Sequence, residues 1–233
     1  MSRSYSLFTL QQFDTGLDVA HKRIREIDLK LQDRSALEQA LKDHDMFESI
    51  HNKNAQALKS AEHEVALQNG KIEQNQKKLY SGTITNPKEL EDLQLESNSL
   101  NKYLQVLEER QLEAMLASDR SQSDLEEASN KLTEVNHNLE EEHKSLLNEK
   151  NSLEEKINSL TEKKTRYLES EDLPDLQMYQ TLREKSGGIA VTLMIDSSCN
   201  SCGASIPSAI EQSAKSPSKL AFCPTCKRIL HPG

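Results

Sequence analysis

LYSGTITNPKELEDL, residues 79–93, holds the only proline before Pro174 and divides two long helical patterns. Gly82 stands just past the first pattern, where glycine can take the left-handed conformation that closes a helix's last carbonyls. Asn86, Pro87 and Glu89 then spell a start. Asn86 caps, Pro87 suits the first helical position, and Glu89 can reach back to the Asn86 N–H. Only residues 83–85 separate stop from start, a length that suits a tight reversal between antiparallel helices better than a bend in one continuous helix.

The flanking patterns support two arms of nearly equal length. Before the break, Leu10, Phe13, Leu17, Ala20, Ile24, Ile27 and Leu31 recur in steps of three and four, one face of a helix. The register slips around residues 34–41 and resumes through Leu58, Ala61, Val65, Gln68, Ile72, Asn75 and Leu79, with two polar residues on the seam; such slips overwind or unwind a coiled coil. After the break a single heptad frame runs from residue 90 to 153 through Leu104, Leu125, Leu132, Leu139 and Leu146. Gln111, Ser118 and Ser121 fall on its seam beside Ala114, where packing should be weakest and the helix most flexible. Helices over 7–80 and 87–169 rise ~1.5 Å per residue and match in length. Folding about residues 83 and 84 sets residue i beside approximately 167 minus i, so Leu10 and Phe13 should meet Ile157 and Leu153. Two parallel chains would satisfy the same heptads, but the stop and start at the break favour a hairpin.

Composition agrees with helices rather than one large globular core. The 233 residues carry a net charge of −9, 4% aromatics, 29% charged residues and no tryptophan. No apolar run approaches the roughly 18 residues of a membrane span, and MSRSYSLFTLQQFD lacks a signal-peptide layout, so the expected location is the cytosol, with no membrane partner. From Ser186 onward Lys215, Lys219, Lys227 and Arg228 outweigh Asp196 and Glu211, so the acidic excess lies in the helical arms. An acidic rod does not attract a phosphate backbone.

All four cysteines fall in the tail, as Cys199-x2-Cys202-x20-Cys223-x2-Cys226. Such pairs in a reducing compartment indicate metal binding rather than disulfides. Tetrahedral zinc takes four soft ligands, and four thiolates leave no open position for catalytic water, so the expectation is one structural Zn2+ that folds the tail. A redox pair is disfavoured by the lack of a βαβ frame. A short helix should begin near Pro174 and end at Gly187 and Gly188, with strands over IAVTLMID (189–196) and KLAF (219–222). The boundaries are a hairpin over 1–172 with its tip near 80–87, a helix and linker over 173–188, and a C4 ribbon over 189–233. His44, His51, His63 and His231 read as surface residues, and Gly16 and Gly70 as tolerated helix defects. HEVAL at 63 lacks the second histidine of a zinc protease and no glycine-rich phosphate loop occurs, so no enzyme is expected.

With tip and knuckles read, the chain resembles the bacterial C4-type zinc-ribbon coiled-coil family. Leu79, Tyr80, Gly82, Asn86, Pro87, Lys88, Glu89 and Leu90 carry the resemblance at the tip, with CNSCG, Ile206-Pro207 and CPTCKRIL in the tail. Lys227 departs from it, since relatives usually have glycine after the final cysteine, and His-Pro-Gly stands where an aromatic often follows. The resemblance implies a mainly α protein, a long antiparallel coiled-coil hairpin with a small C-terminal β zinc ribbon, without enzymatic activity. Relatives include a flagellar regulator that engages sigma-54 and RNA, and a chlamydial protein linked to sigma-54 and type III secretion. The expected function is therefore a cytoplasmic adaptor or transcription regulator binding protein partners, with sigma-54, secretion or flagellar export proteins implied. A nucleic-acid binder using the ribbon's cations is the alternative, and a pure spacer the third reading. Tyr80, Gly82, Asn86, Pro87, Glu89 and Leu90 serve either the reversal alone or partner contact as well.

Overall fold

The computed structural model describes residues 2–233. The chain is mainly α, a long antiparallel coiled-coil hairpin followed by a small sheet. Its helices are α1 (Arg3–Gln32), α2 (Ser35–Leu79), α3 (Pro87–Ser170) and α4 (Leu176–Lys185). The tail folds as β1 (Val191–Ile195), β2 (Ser198–Cys199), α5 (Ser208–Lys215), β3 (Ala221–Phe222) and β4 (Ile229–His231). Strands lie in the order β2-β1-β4-β3, with β1 parallel to β4 and the outer pairs antiparallel. Two compact units emerge: the chain up to Asp33 together with Glu142–Gly233, and Arg34–Glu141.

Within Arg34–Glu141 the reversal forms as its residues dictate. Tyr80 N–H closes α2 on Gln76 O at 2.9 Å, and Gly82 takes φ 69°, the left-handed region. Asn86 Oδ1 accepts from Lys88 N–H at 3.1 Å, and Asn86 O accepts from Leu90 N–H at 3.2 Å. Pro87 opens α3 with Glu89 in its first turn. Glu89 makes no return bond to Asn86 among the described residues, so the cap rests on Asn86 itself.

The seam of this unit uses its polar residues instead of merely tolerating them. Gln68, 2% exposed, donates to Leu100 O at 2.9 Å, and Asn75 donates to Glu96 at 2.8 Å. Ser121 is buried against His51, whose Nδ1 lies 3.4 Å from its Oγ, and Asn54 donates to Ala117 O. His51 thus faces the partner helix rather than open surface. These partners lie further along α3 than 167 minus i predicts. Helical side chains lean toward their own N-terminus, so two antiparallel helices meet at positions displaced C-terminally on each.

Gly70 has nothing within 4 Å of where a Cβ would stand. With space free and helix propensity in favour, Gly70→Ala is expected to stabilise the unit by about 1 kcal/mol, read as a raised urea midpoint. Gly16 differs, because a Cβ there would meet Leu160 Cδ1 at 3.0 Å. It is a close approach of α1 to α3, not a defect.

Two expectations for the first arm need correction. The helix over 7–80 is broken: Asp33 and Arg34 leave the helical path, Asp33 with extended backbone at φ −74° and ψ 110°. This is where the apolar register slips. Near its start α1 also pairs further along α3 than expected, with the Phe13 ring 5.8 Å from Tyr167 and Lys164 2.7 Å from Asp14. Two extended residues advance about as far as four or five helical ones, which adds roughly two or three positions to the displacement that side-chain lean already gives.

The sheet separates two cores because successive strand residues face opposite ways. Leu230, Met194, Ala221 and Ile206 pack with Cys199 and Cys223 on one side. Ile229 and Val191 pack on the other with Leu7 and Leu10 of α1 and Tyr179 of α4. Each such aliphatic side chain, fully buried, stabilises by roughly 1.5–3 kcal/mol. Ile229 and Leu230 thus have separate tasks, one holding the helices and the other the cysteine side, while Phe222 stays 37% exposed.

Candidate metal centre

Two similar turns deliver the four cysteines. In the first, Gly203 N–H donates to Cys199 O at 2.8 Å and Cys199 N–H to Ala204 O at 2.9 Å. In the second, Lys227 N–H donates to Cys223 O at 3.0 Å and Cys223 N–H to Arg228 O at 2.9 Å. The turn requires a left-handed residue just after its second cysteine, supplied by Gly203 at φ 72° and by Lys227 at φ 60°. A side chain in that conformation costs about 1–2 kcal/mol, partly offset by the bond from Lys227 Nζ to Pro224 O at 2.8 Å. Lys227→Gly should therefore keep the knuckle and stabilise it by about 1 kcal/mol, visible as a higher unfolding midpoint of the metal-loaded chain.

Cys199, Cys202, Cys223 and Cys226 converge with all four sulfurs within 4.8 Å of one another. Cys199 Sγ lies 3.8 Å from Cys226 Sγ, and Cys202 Sγ 3.7 Å from Cys223 Sγ. A zinc–sulfur bond of about 2.3 Å in a tetrahedron sets sulfurs about 3.8 Å apart. The spacing therefore fits a metal of that size held by four thiolates, and far exceeds the ~2.05 Å of a disulfide. All four cysteines are free.

The backbone prepares the sulfurs for this charge. Ala204 N–H favours the Cys202 thiolate, but desolvation and hydrogen bonds with the other three cysteines outweigh it and push that thiol up to about 12. Burial opposes the Cys226 thiolate, yet the Arg228 backbone and side chain, with Cys223 and Cys202, bring it down to about 6. Four sulfurs without a cation share protons unequally; a divalent cation favours all four as thiolates.

A second group the sequence did not join holds this ribbon to α1 and α4. Gln11 accepts from Ala190 N–H at 2.6 Å and Val191 N–H at 2.7 Å, and donates to Val191 O at 2.7 Å. One buried amide thereby supplies the hydrogen bonds of a missing strand at the start of β1. Below it, Tyr179 donates to Asp14 at 2.7 Å, and Lys164 pairs with the same carboxylate. Burial, then the Asp14 contact, raise the Tyr179 pKa well above its ordinary value and keep the phenol neutral. His231 is buried, not on the surface as its sequence position suggested. Its Nδ1 lies 3.2 Å from Ser4 Oγ, its ring stacks 5.1 Å from Phe8, and burial lowers its pKa. Arg3 pairs with Asp175 and also donates to Ser218 O at 3.0 Å.

The remaining candidates lie elsewhere. Tyr80 at the tip is 81% exposed. His44, half-buried, groups with the exposed Asp45 and Glu48 on α2. Of the ribbon's cations, Lys215 pairs with Glu211, Lys227 reaches Pro224 O, and Arg228 donates to Ile189 O and Ser186 O. No helix among the described residues is long and apolar enough to cross a membrane.

Comparison with known proteins agrees with this architecture. The chain is similar to CT398 from Chlamydia trachomatis at 18% identity, over 99% of this chain and 98% of that one, with a TM-score of 0.69. A Mycobacterium smegmatis structure matches at 18% identity over 100% of both chains, TM-score 0.63. HP0958 from Helicobacter pylori matches at 17% identity over 99% and 97%, TM-score 0.50. Likeness at such identity speaks for the fold. No curated protein matches the chain. The family model for the CT398-like coiled coil hairpin domain matches residues 10–187, from the Gln11 region of α1 through both arms and α4, and the chain belongs to that family.

Proposed function

We propose that this protein is a non-enzymatic adaptor or regulator of the cytoplasm, in which one zinc ion folds the ribbon and the coiled-coil surface binds other proteins. The observation that carries this reading is where large apolar side chains stay exposed. Tyr80, Leu95, Leu112 and Leu116 are 81%, 62%, 57% and 63% exposed along the hairpin, whereas the sulfurs and the Gln11 contacts are committed to the fold. Leu112, Met115 and Leu116 follow in steps of three and four, so they share one face of α3, and contiguous exposed apolar surface suits protein docking. Sigma-54 of RNA polymerase and type III secretion or flagellar export proteins are the first partners to test, because the tip and knuckle motifs resemble those of proteins linked to them. The nucleic-acid reading has less support, since three of the ribbon's four cations are engaged within the chain.

The test is affinity purification of the whole zinc-loaded chain from cytosolic extract at physiological salt, followed by mass spectrometry. A defined protein partner, recovered without nucleic acid and lost on Tyr80→Ser or on cysteine-to-serine change, supports the adaptor. Recovery of RNA, with steeply salt-dependent binding, or of nothing at all, contradicts it.

A further inference from the structure

Small residues at two facing seam positions open the coiled coil. Ala40 and Ala128 are 5% and 8% exposed, yet their methyl groups leave a cleft of about 170 Å³ between α2 and α3. Phe47 lines its apolar part, and Asp43, Asp124, Glu127 and Lys131 ring it. Leucine at either alanine position would fill such a gap, as Leu125 and Leu132 do at neighbouring heptad positions. Asp43, Met46, Phe47 and Ile50 follow in steps of three and four, so they continue one face of α2. Met46 and Ile50 on that face are 50% and 40% exposed. Three carboxylates face one lysine at the rim, and among the described residues neither Asp124 nor Glu127 makes an ion pair. The apolar floor is thus available and the charge around it unbalanced.

We propose that this cleft docks a basic amphipathic helix of a protein partner, which inserts an aliphatic side chain between Ala40, Phe47 and Ala128 and sets arginine or lysine against Asp124 and Glu127. The inference rests on the adaptor reading and names the chemistry of its partner. An apolar anchor at helical spacing is the usual way a helix seats in such a groove, and the acidic rim selects the charge of its flanks. A second copy of this chain fits poorly, because its net charge of −9 brings like charge to the same rim.

The experiment uses the full zinc-loaded chain and a fluorescein-labelled amphipathic peptide of leucines and arginines, with fluorescence anisotropy as readout. Saturable binding is expected, at least tenfold weaker for D124N/E127Q and for Ala128→Leu, which fills the cleft without changing charge. A peptide with serine for leucine should lose binding as well. Circular dichroism checks that Ala128→Leu still folds, and the surface pair D124N/E127Q decides the matter if it does not. Equal binding by D124N/E127Q or by the serine peptide overturns the proposal, as does no saturation up to about 1 mM. A dimer that D124N/E127Q or Ala128→Leu dissolves would assign the cleft to a second copy and overturn it too. Recovery of the same cytosolic partner by wild type and D124N/E127Q would remove the cleft but leave the adaptor standing. No partner for wild type would remove the adaptor, with the peptide still deciding the cleft.

Discussion

Chelation of the metal at neutral pH, or Cys223→Ser, is expected to unfold the ribbon while α2 and the α3 segment within Arg34–Glu141 stay helical. Cys199 and Cys223 are fully buried and belong to the same core as Met194, Ile206 and Leu230. That core is small, and its strands are short, β2 and β3 having two residues each. A structural zinc contributes an apparent ~10–16 kcal/mol in small domains, more than such a core can supply alone. Loss of the ion also leaves four clustered sulfurs, and serine at 223 adds a buried hydroxyl with no ligand to hold. Amide signals of 191–231 should collapse to unfolded positions, and trypsin should cut at Lys219 and Lys227. The seam of Arg34–Glu141, including Gln68 with Leu100 and Asn75 with Glu96, has its own contacts and should keep its helical circular dichroism. A ribbon that keeps dispersed signals after chelation would contradict the metal's structural role.

Gln11→Leu should be the most damaging single change outside the cysteines. It removes three hydrogen bonds to β1 and leaves the Ala190 and Val191 N–H groups and the Val191 carbonyl facing an apolar side chain. Each of these three buried, unsatisfied groups costs about 1–3 kcal/mol, so the whole change should cost roughly 3–9 kcal/mol. Loss should appear in the unit that holds α1 and the ribbon, as a lowered urea midpoint there with Arg34–Glu141 unaffected. Gln11→Glu retains the acceptor for both N–H groups but buries a carboxylate oxygen against Val191 O in place of the donor, so it too should destabilise, and less at low pH, where a protonated carboxyl can donate. A change below about 1 kcal/mol for Gln11→Leu would mean that water replaces the amide and that the clamp is incidental.

What the sequence revealed follows from the range of each interaction. The tip was legible because Gly82, Asn86 and Pro87 act within a few residues, and the structure uses the left-handed glycine and the asparagine cap. The cysteine spacing was legible because each knuckle is local and the sequence pairs the two. The break at Asp33–Arg34 left only a register slip, since neither residue is a glycine or proline that would announce it. Strands β2 and β4 and helix α5 are too short to carry a period, and tertiary pairing alone defines them. Gln11, Asp14 and Tyr179 escaped notice, and His231 was read as a surface residue, for a different reason. Their partners lie far along the chain, so a glutamine on α1 looks like any polar helix residue until β1 is placed over it. His231 reads as a polar tail residue, yet β4 carries it under Phe8.

The proposed function rests on four thiolates that hold one zinc and so fold the ribbon. X-ray absorption at the zinc edge, on chain purified without added metal and assayed for metal content, is the decisive measurement. The prediction is one zinc per chain with four sulfur neighbours at about 2.3 Å and no nitrogen or oxygen ligand. Folded chain without metal, or a zinc with fewer than four sulfurs, would contradict it.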